Sequence, residues 1–476
     1  LIFHILARRR TGRRWLTIAY FVLAWVVFWP LSIFSKETGV LLPGFVVAYE
    51  LIIRRAERGG LDALGRGLLT ITVVLLLGLI PYLASPYGHW ILSGYEIRSF
   101  SLLERLLTES RVIWGYLYWV VFPRLEQFAL FHDDIALSSS LVDPWFTSLA
   151  VVGIAGMLIG VFAASRRFPL PAFGIAWFLV GHSLESTFIP LELVHEHRNY
   201  LPLFGILLLP VGPLSDLAAK PGARRTLTVA IVGAVLALFS FVTFMRAEMF
   251  ANEQIRTQLE AQFHPDSART NYEAGRALAT VVDQDRGNMI AAVLAQKHFE
   301  KATALDSDYK MGLLGLITLK CGISEEIDHQ ALVELNQRLA HALVLQEDTT
   351  ILSAIVEMAG AGLSCLKRSD IDALFASLFA NPRLAPDKRV AMHSLHADYL
   401  WLHEKDLPAS RGALKSALEI SPQNPSLRLK WAQLDFLAGE RVSARALLYE
   451  LRDEPLSKSE KATIQNLLAI LESQGG

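Results

Sequence analysis

Apolar side chains run in long blocks through the first half of the chain and in short, spaced steps through the second. A block of about 20 residues is what a helix rising about 1.5 Å per residue needs to cross a hydrocarbon layer of about 30 Å. Five blocks reach that length, at 15–34, 66–84, 144–165, 171–191 and 225–246. Two shorter ones, at 39–53 and 200–217, raise the expected number of spans to about seven. Segment 111–123, RVIWGYLYWVVFP, is aromatic and too short; it reads as a re-entrant or interfacial helix, with a full span as the alternative.

Beyond about residue 265 the pattern turns helical and rich in Ala and Leu, with a repeat of about 34 residues. Pro425 opens a stretch in which Trp431, Ala432, Gly439, Ala444, Leu448 and Leu451 stand where the paired helices of a tetratricopeptide repeat touch. The unit before it matches in part through Trp401, Asp406, Leu407, Leu414, Ala417 and Pro422, and Ala295, Phe299, Ala302 and Leu305 carry the second-helix pattern alone. Tyr272 and Gly275 lie too far upstream of that fragment, so its unit is irregular or carries an insertion. The expected fold is all-α: a polytopic transmembrane helical domain over 1–250 with an outer loop at 85–143, then a soluble tetratricopeptide-like α-solenoid over 251–476. A generic helical bundle is the alternative for the second half.

Composition sharpens this division. The 476 residues are 52% hydrophobic and carry 45 basic against 46 acidic side chains, a net charge of −1. That balance excludes a nucleic-acid binder relying on bulk charge, and the low charged fraction excludes disorder. Residues 1–250 hold 21 basic and 16 acidic side chains, and the remainder 24 and 30. The basic groups of the first half fall at Arg8–Arg14, Arg54/Arg55/Arg58, Arg166/Arg167 and Lys220/Arg224/Arg225, on alternate loops. Placing all four in the cytoplasm gives one consistent path. It puts the turn Ser35–Glu37, the loop 85–143, the turn His195–Asn199 and everything after Arg246 on the outside. The chain opens at Leu1 on what reads as the end of an apolar helix, so it is taken as the C-terminal part of a longer, N-terminally truncated protein. Cys321 and Cys365 both fall in the second half, as a disulfide or as free core thiols.

The few charges left near membrane depth are functional candidates by default. His182 and Glu185 are spaced to share a helix face, as partners in a metal site or as a hydrogen bond locking neighbouring helices. His195, Glu196, His197, Arg198 and Asn199 crowd one tight turn between two apolar blocks. A guanidinium and imidazoles there can hold a phosphate or pyrophosphate, the alternative being a polar knot that caps two helices. Lys36 and Glu37 repeat the logic as a phosphate contact and its orienting partner, or as a plain turn salt bridge. His132, Asp133 and Asp134 form a weak metal candidate in the long loop, equally readable as solvated aspartates. Nucleophile, Walker, dinucleotide and CxxC motifs are absent from the sequence.

At these residues a family resemblance becomes specific. SKETGVLLPGFVVAYE, RLLTESRVIWGYLYWVVFP, FHDDIALSSSLVDP and GHSLESTFIPLELVHEHRNYLP resemble bacterial polytopic proteins with C-terminal tetratricopeptide repeats. Their layout is similar to that of the animal O-mannosyltransferases built from transmembrane helices and such repeats, within the GT-C class of glycosyltransferases. The resemblance implies a donor linked to polyprenyl phosphate, an acceptor polypeptide or glycan, and chemistry on the periplasmic face of a bacterial inner membrane. It also implies a carboxylate base in a first outer loop, which here would lie upstream of Leu1, so no catalytic residue is named. Lys36, Glu37, His195, Glu196, His197, Arg198 and Asn199 are left as donor-binding candidates. No cofactor is named, though a divalent metal is compatible, and partners are the bilayer, the lipid-linked donor and a polypeptide on the repeats, with no nucleic acid. The competing class is a membrane-anchored repeat scaffold for a pilus, secretion or envelope complex. A transporter is more remote, because neither inverted repeats nor runs of intramembrane charge are evident.

Overall fold

The computed structural model describes residues 1–9, 13–127, 129–363 and 365–473. Arg10, Thr11 and Gly12 of the first basic run lie outside the described residues, as do Phe128, Ser364 and the last three positions. The described chain is helical throughout, with no strand, and divides into two compact units, Leu1–Pro265 and Asp266–Gly476. The helix Glu253–Phe263 therefore belongs to the first unit.

Among the described residues of the first unit, four helices are long and apolar enough to cross a membrane: Arg14–Ser35, Ala63–Ala84, Phe146–Ala164 and Ala223–Ala251. Their surfaces are inverted relative to a water-soluble helix. Along Ala63–Ala84, Val74, Leu75, Leu76 and Leu77 are all exposed, and Ile80 is 72% exposed. A continuous apolar face of that kind is matched to hydrocarbon.

The other expected spans differ from the pattern. The block 39–53 forms helical segments running from Glu37 to Arg58, with Glu50 buried among them. Glu50 receives the Arg8 guanidinium at 2.7 Å and lies 2.9 Å from the His4 ring, and Arg8 continues to Asp62 at 2.7 Å. Arg54 adds a bond to the Arg8 carbonyl, so two of the four basic loops meet in one charge network. The block 200–217 is broken into Glu196–Leu208 and Val211–Ala218, bent by 42° at Pro210, where the ring cannot continue the hydrogen-bond ladder. Segment 111–123 is the end of a 20-residue helix, Leu102–Val121, whose capping box of Ser101 and Glu104 starts it well upstream of the aromatic run.

The fifth long block, 171–191, is where expectation and structure part most clearly. Its helix, Pro169–His182, is 14 residues long, and the chain then leaves helical geometry. The cause lies on another helix. Arg105 is wholly buried, and its guanidinium donates to the carbonyls of Glu185, at 2.6 Å, Thr187, at 3.0 Å, and Leu191. Carbonyls committed to a side chain are not available to an i→i−4 ladder. Glu109, 2.9 Å from the Arg105 guanidinium, completes the buried ion pair. Pro169–His182 packs closely against Tyr200–Leu208, because Gly174 and Gly205 face one another and Gly181 faces Pro202. A methyl at Gly181 would meet Pro202 Cγ at 2.7 Å. Small residues thus let two backbones approach and position the turn between them.

In the second unit eleven described helices follow in sequence from Ala268–Gln284 to Lys458–Ser473. Most successive helices pack together, while His329–His341 packs against Arg368–Ala380; Ala268–Gln284 also contacts Met311–Ser324, which contacts Gln346–Gly360, which contacts Pro386–Leu402. Side-chain caps at Ser267, Asn288, Asp328, Asp406 and Asn424 satisfy first-turn amides. Of the spaced small and apolar positions read from the sequence, Ala295, Ala302, Ala432, Ala444, Leu448 and Leu451 are fully buried, whereas Leu305 and Gly439 are exposed. Cys321 and Cys365 are joined as a disulfide, with Cα atoms 5.7 Å apart.

Candidate functional site

Three elements of the first unit converge on a cavity of about 540 Å³. The helix Leu102–Val121 brings Trp119, the helix Ala223–Ala251 brings Phe239, Val242 and Arg246, and the turn after Val194 brings His195, Glu196, His197 and Asn199. The lining is therefore mixed, polar from the turn and Arg246 and otherwise largely apolar, with Leu203 and Leu130 adding to the apolar part. The turn is fixed from below: the Tyr116 hydroxyl donates to the His195 carbonyl at 3.1 Å and accepts from its amide at 3.1 Å. The His195 and His197 rings lie 4.9 Å apart, and Glu196 is paired with Arg246.

The candidates named from sequence divide sharply. His195, Glu196, His197 and Asn199 line the cavity. Arg198 does not; its guanidinium is buried, bonded to the Glu192 carbonyl at 2.5 Å and 3.4 Å from Glu185. It ties the irregular segment to the turn. His182 and Glu185 are both buried but do not pair with one another. The helix ends between them, so the i, i+3 face is lost; His182 stacks on Tyr116 at 5.1 Å while Glu185 serves Arg198. Lys36 and Glu37 are exposed, form no ion pair with each other and do not line the cavity.

His132 and Asp134 of the loop lie together with His264, the residue that ends the helix Glu253–Phe263, while Asp133 is not part of this group. Asp134 Oδ2 lies 2.8 Å from His264 Nδ1, and His264 Nε2 is 3.0 Å from the Glu126 carbonyl. His132 stacks on Trp119 at 5.4 Å, and its Nε2 lies 4.0 Å from Glu196, so the trio adjoins the cavity. Burial pushes the His132 ring down to about 4, with the neighbouring His264 charge adding to the effect. Burial opposes ionisation of His264 and Asp134 as well, but their mutual hydrogen bond and attraction outweigh it. His264 is raised and Asp134 lowered from their ordinary values. Glu260 is raised by burial, which exceeds the opposing pull of Arg256.

Sequence reasoning missed Arg246, Trp119, His264, and the supporting Arg105, Glu109 and Tyr116. The Arg105/Glu109 spacing of four in the helix Leu102–Val121 was a readable signal; the pairing of His264 with the loop was not. No family model, curated protein or solved structure matches the chain.

Proposed function

We propose that this chain is a membrane glycosyltransferase moving a sugar from a polyprenyl-phosphate-linked donor to a protein or glycan acceptor. In this reading it works on the periplasmic face of a bacterial inner membrane, and the C-terminal helices act as a tetratricopeptide-like solenoid that binds acceptor or partner. The observation that carries the reading is one cavity lined both by Arg246, paired with Glu196, with His195 and His197, and by the apolar Leu203, Phe239 and Val242. A lipid phosphate has the same division, an anionic head on a hydrocarbon tail. In transfer the acceptor oxygen bonds to the anomeric carbon, the carbon–oxygen bond to phosphate breaks, and the hydroxyl proton leaves to a base. Negative charge grows on the departing phosphate, and pre-positioned cationic donors stabilise it in a site that excludes water. The GT-C resemblance supplies the sugar chemistry; the cavity supplies the fit to the lipid.

The test uses the full-length protein in detergent with undecaprenyl phosphate as probe, read by quenching of tryptophan fluorescence. Arg246→Gln is expected to weaken binding by about tenfold or more, the loss of a charge-assisted contact. A strain carrying the same substitution should lose glycopeptides while protein levels hold. Unchanged glycosylation at normal levels would sink the enzyme reading and favour the membrane-anchored scaffold.

A further inference from the structure

The trio His132, Asp134 and His264 has a geometry that the lipid-binding reading leaves unused. The three residues come from a loop and from the end of a helix about 130 positions later in the chain, yet one ligand atom from each lies within 4.8 Å of the other two. The His132 side chain is 3% exposed, and its Nε2, next to Glu196, has no hydrogen-bond partner. Asp134 Oδ1 is likewise buried without a partner. Orphaned buried polar atoms of this kind demand an explanation, and two of them in one three-residue cluster point to a cation that takes a lone pair from each.

We propose that His132, Asp134 and His264 bind a divalent transition-metal ion of the zinc class. Nitrogen and oxygen ligands about 2.0–2.2 Å from a tetrahedral ion stand roughly 3.3–3.6 Å from one another, so the His264 Nδ1 to Asp134 Oδ2 separation of 2.8 Å needs to open by only about half an ångström once the ion replaces the shared proton. The remaining approach belongs to His132. On the far side of His264, Nε2 faces the Glu126 carbonyl at 3.0 Å. That contact orients the ring and leaves Nδ1 as the metal-facing nitrogen, the outer-shell arrangement that metal-binding histidines use. Two imidazoles and one carboxylate select zinc, manganese or ferrous iron over magnesium and calcium, which prefer all-oxygen sites. Three protein ligands leave a fourth position open, as in sites that bind water or substrate. Glu196 is 4.0 Å from His132 Nε2 and also lines the cavity, so the ion would sit one carboxylate away from it. The site stands on its own geometry and does not rest on the glycosyltransferase reading.

The test is zinc titration of the full-length protein in detergent after chelator stripping, followed by X-ray absorption at the zinc edge. The expected result is about one ion per chain, held by two imidazoles and further oxygen or nitrogen donors at about 2.0–2.2 Å, and not displaced by millimolar magnesium. His264→Ala should weaken zinc binding at least about tenfold, and Asp133→Asn should leave it unchanged. No stoichiometric zinc, equal binding by His264→Ala, or a wild-type spectrum with fewer than two imidazoles each overturns the proposal. Should His264→Ala fail to fold, the wild-type spectrum decides alone. Zinc bound as described with no lipid-phosphate binding would keep this site and remove the donor reading, and the reverse outcome would do the opposite.

Discussion

The two units bury opposite things. In the second, the fully buried positions are Leu335, Leu339, Ile351, Leu374, Phe375 and others like them, from helices whose apolar stripes face inward. In the first, long apolar helices leave their leucines exposed, and Arg105, Glu109, His182, Glu185 and Arg198 are buried. The difference follows from the solvent each surface is matched to. Where water surrounds a helix, apolar burial drives packing. Where hydrocarbon surrounds it, apolar contacts are the same inside and out, so close backbone approach and polar bonds set the arrangement. A buried charge in the first unit is therefore an organiser, and in the second an exception.

That contrast can be broken most directly at one fully buried ion pair from each unit. Lys310 in the second is held by Asp348 at 2.9 Å, the Asp308 carbonyl at 3.0 Å and the Leu343 carbonyl at 2.9 Å. Burial pushes Asp348 up to about 6 in spite of Lys310, so this pair is held against a desolvation penalty. Lys310→Met should cost about 3–5 kcal/mol by stranding the carboxylate, and Lys310→Met with Asp348→Leu should recover most of it. Arg105→Met strands Glu109 in the same way, with a similar or larger loss. Here Glu109→Leu should rescue less, because the carbonyls of Glu185, Thr187 and Leu191 stay unsatisfied, against only those of Asp308 and Leu343 in the second unit. Thermal unfolding of the four variants in detergent measures this; equal rescue in both units would refute the organising role assigned to Arg105.

A smaller effect separates the units at glycine. Gly205→Ala would drive a methyl into the Gly174 carbonyl and to 2.9 Å from the Phe178 amide, destabilising the first unit by about 1–3 kcal/mol. Gly412 lies within the helix Leu407–Ile420 with open space at its Cα, so Gly412→Ala should stabilise the second unit by up to about 1 kcal/mol. Opposite signs in melting temperature check the pair. The same sign for both would mean that backbone approach does not hold the first unit together.

How much of this could be read in advance follows the same division. The spaced alanines and leucines of the second unit were legible because local periodicity and burial largely coincide there. The four long apolar helices were legible from length alone. The end of the helix at His182 was not, since it is dictated by Arg105 from nearly 80 residues earlier, and a window of hydropathy contains no such information. Likewise the HEHRN turn was located but its labour was not divided: Arg198 turns inward to Glu185 while Arg246, read only as the end of a span, takes its place at the cavity. His132 and Asp134 were marked, but their partner His264 becomes a neighbour only through the fold. The disulfide, open on sequence grounds, required the geometry that joins Cys321 to Cys365.

The smallest expected effect is a pH response confined to the second unit. On the helix Pro386–Leu402, His393 stacks on Phe379 at 3.7 Å between centroids, and burial, with help from Arg389 and His396, pushes it down to about 4. His396 stacks on Phe375 at 4.3 Å and is also lowered by burial, which the hydrogen bond to Asp372 only partly offsets. Folding thus disfavours their protonation, and between about pH 6.5 and 4 the unfolded chain binds more protons than the folded one. Stability from these groups is complete above pH 6.5 and is lost as the pH falls towards 4. His393 is only half-buried, so solvent screening reduces the effect to about 1 kcal/mol. Hydrogen exchange of residues 386–402 in the full chain, corrected for intrinsic rates, should show roughly fivefold lower protection at pH 5 than at pH 7. In His393→Phe, which keeps the stacking and removes the titration, most of that drop should vanish. An identical drop in the variant would assign the acid sensitivity elsewhere and leave the second unit's packing indifferent to its histidines.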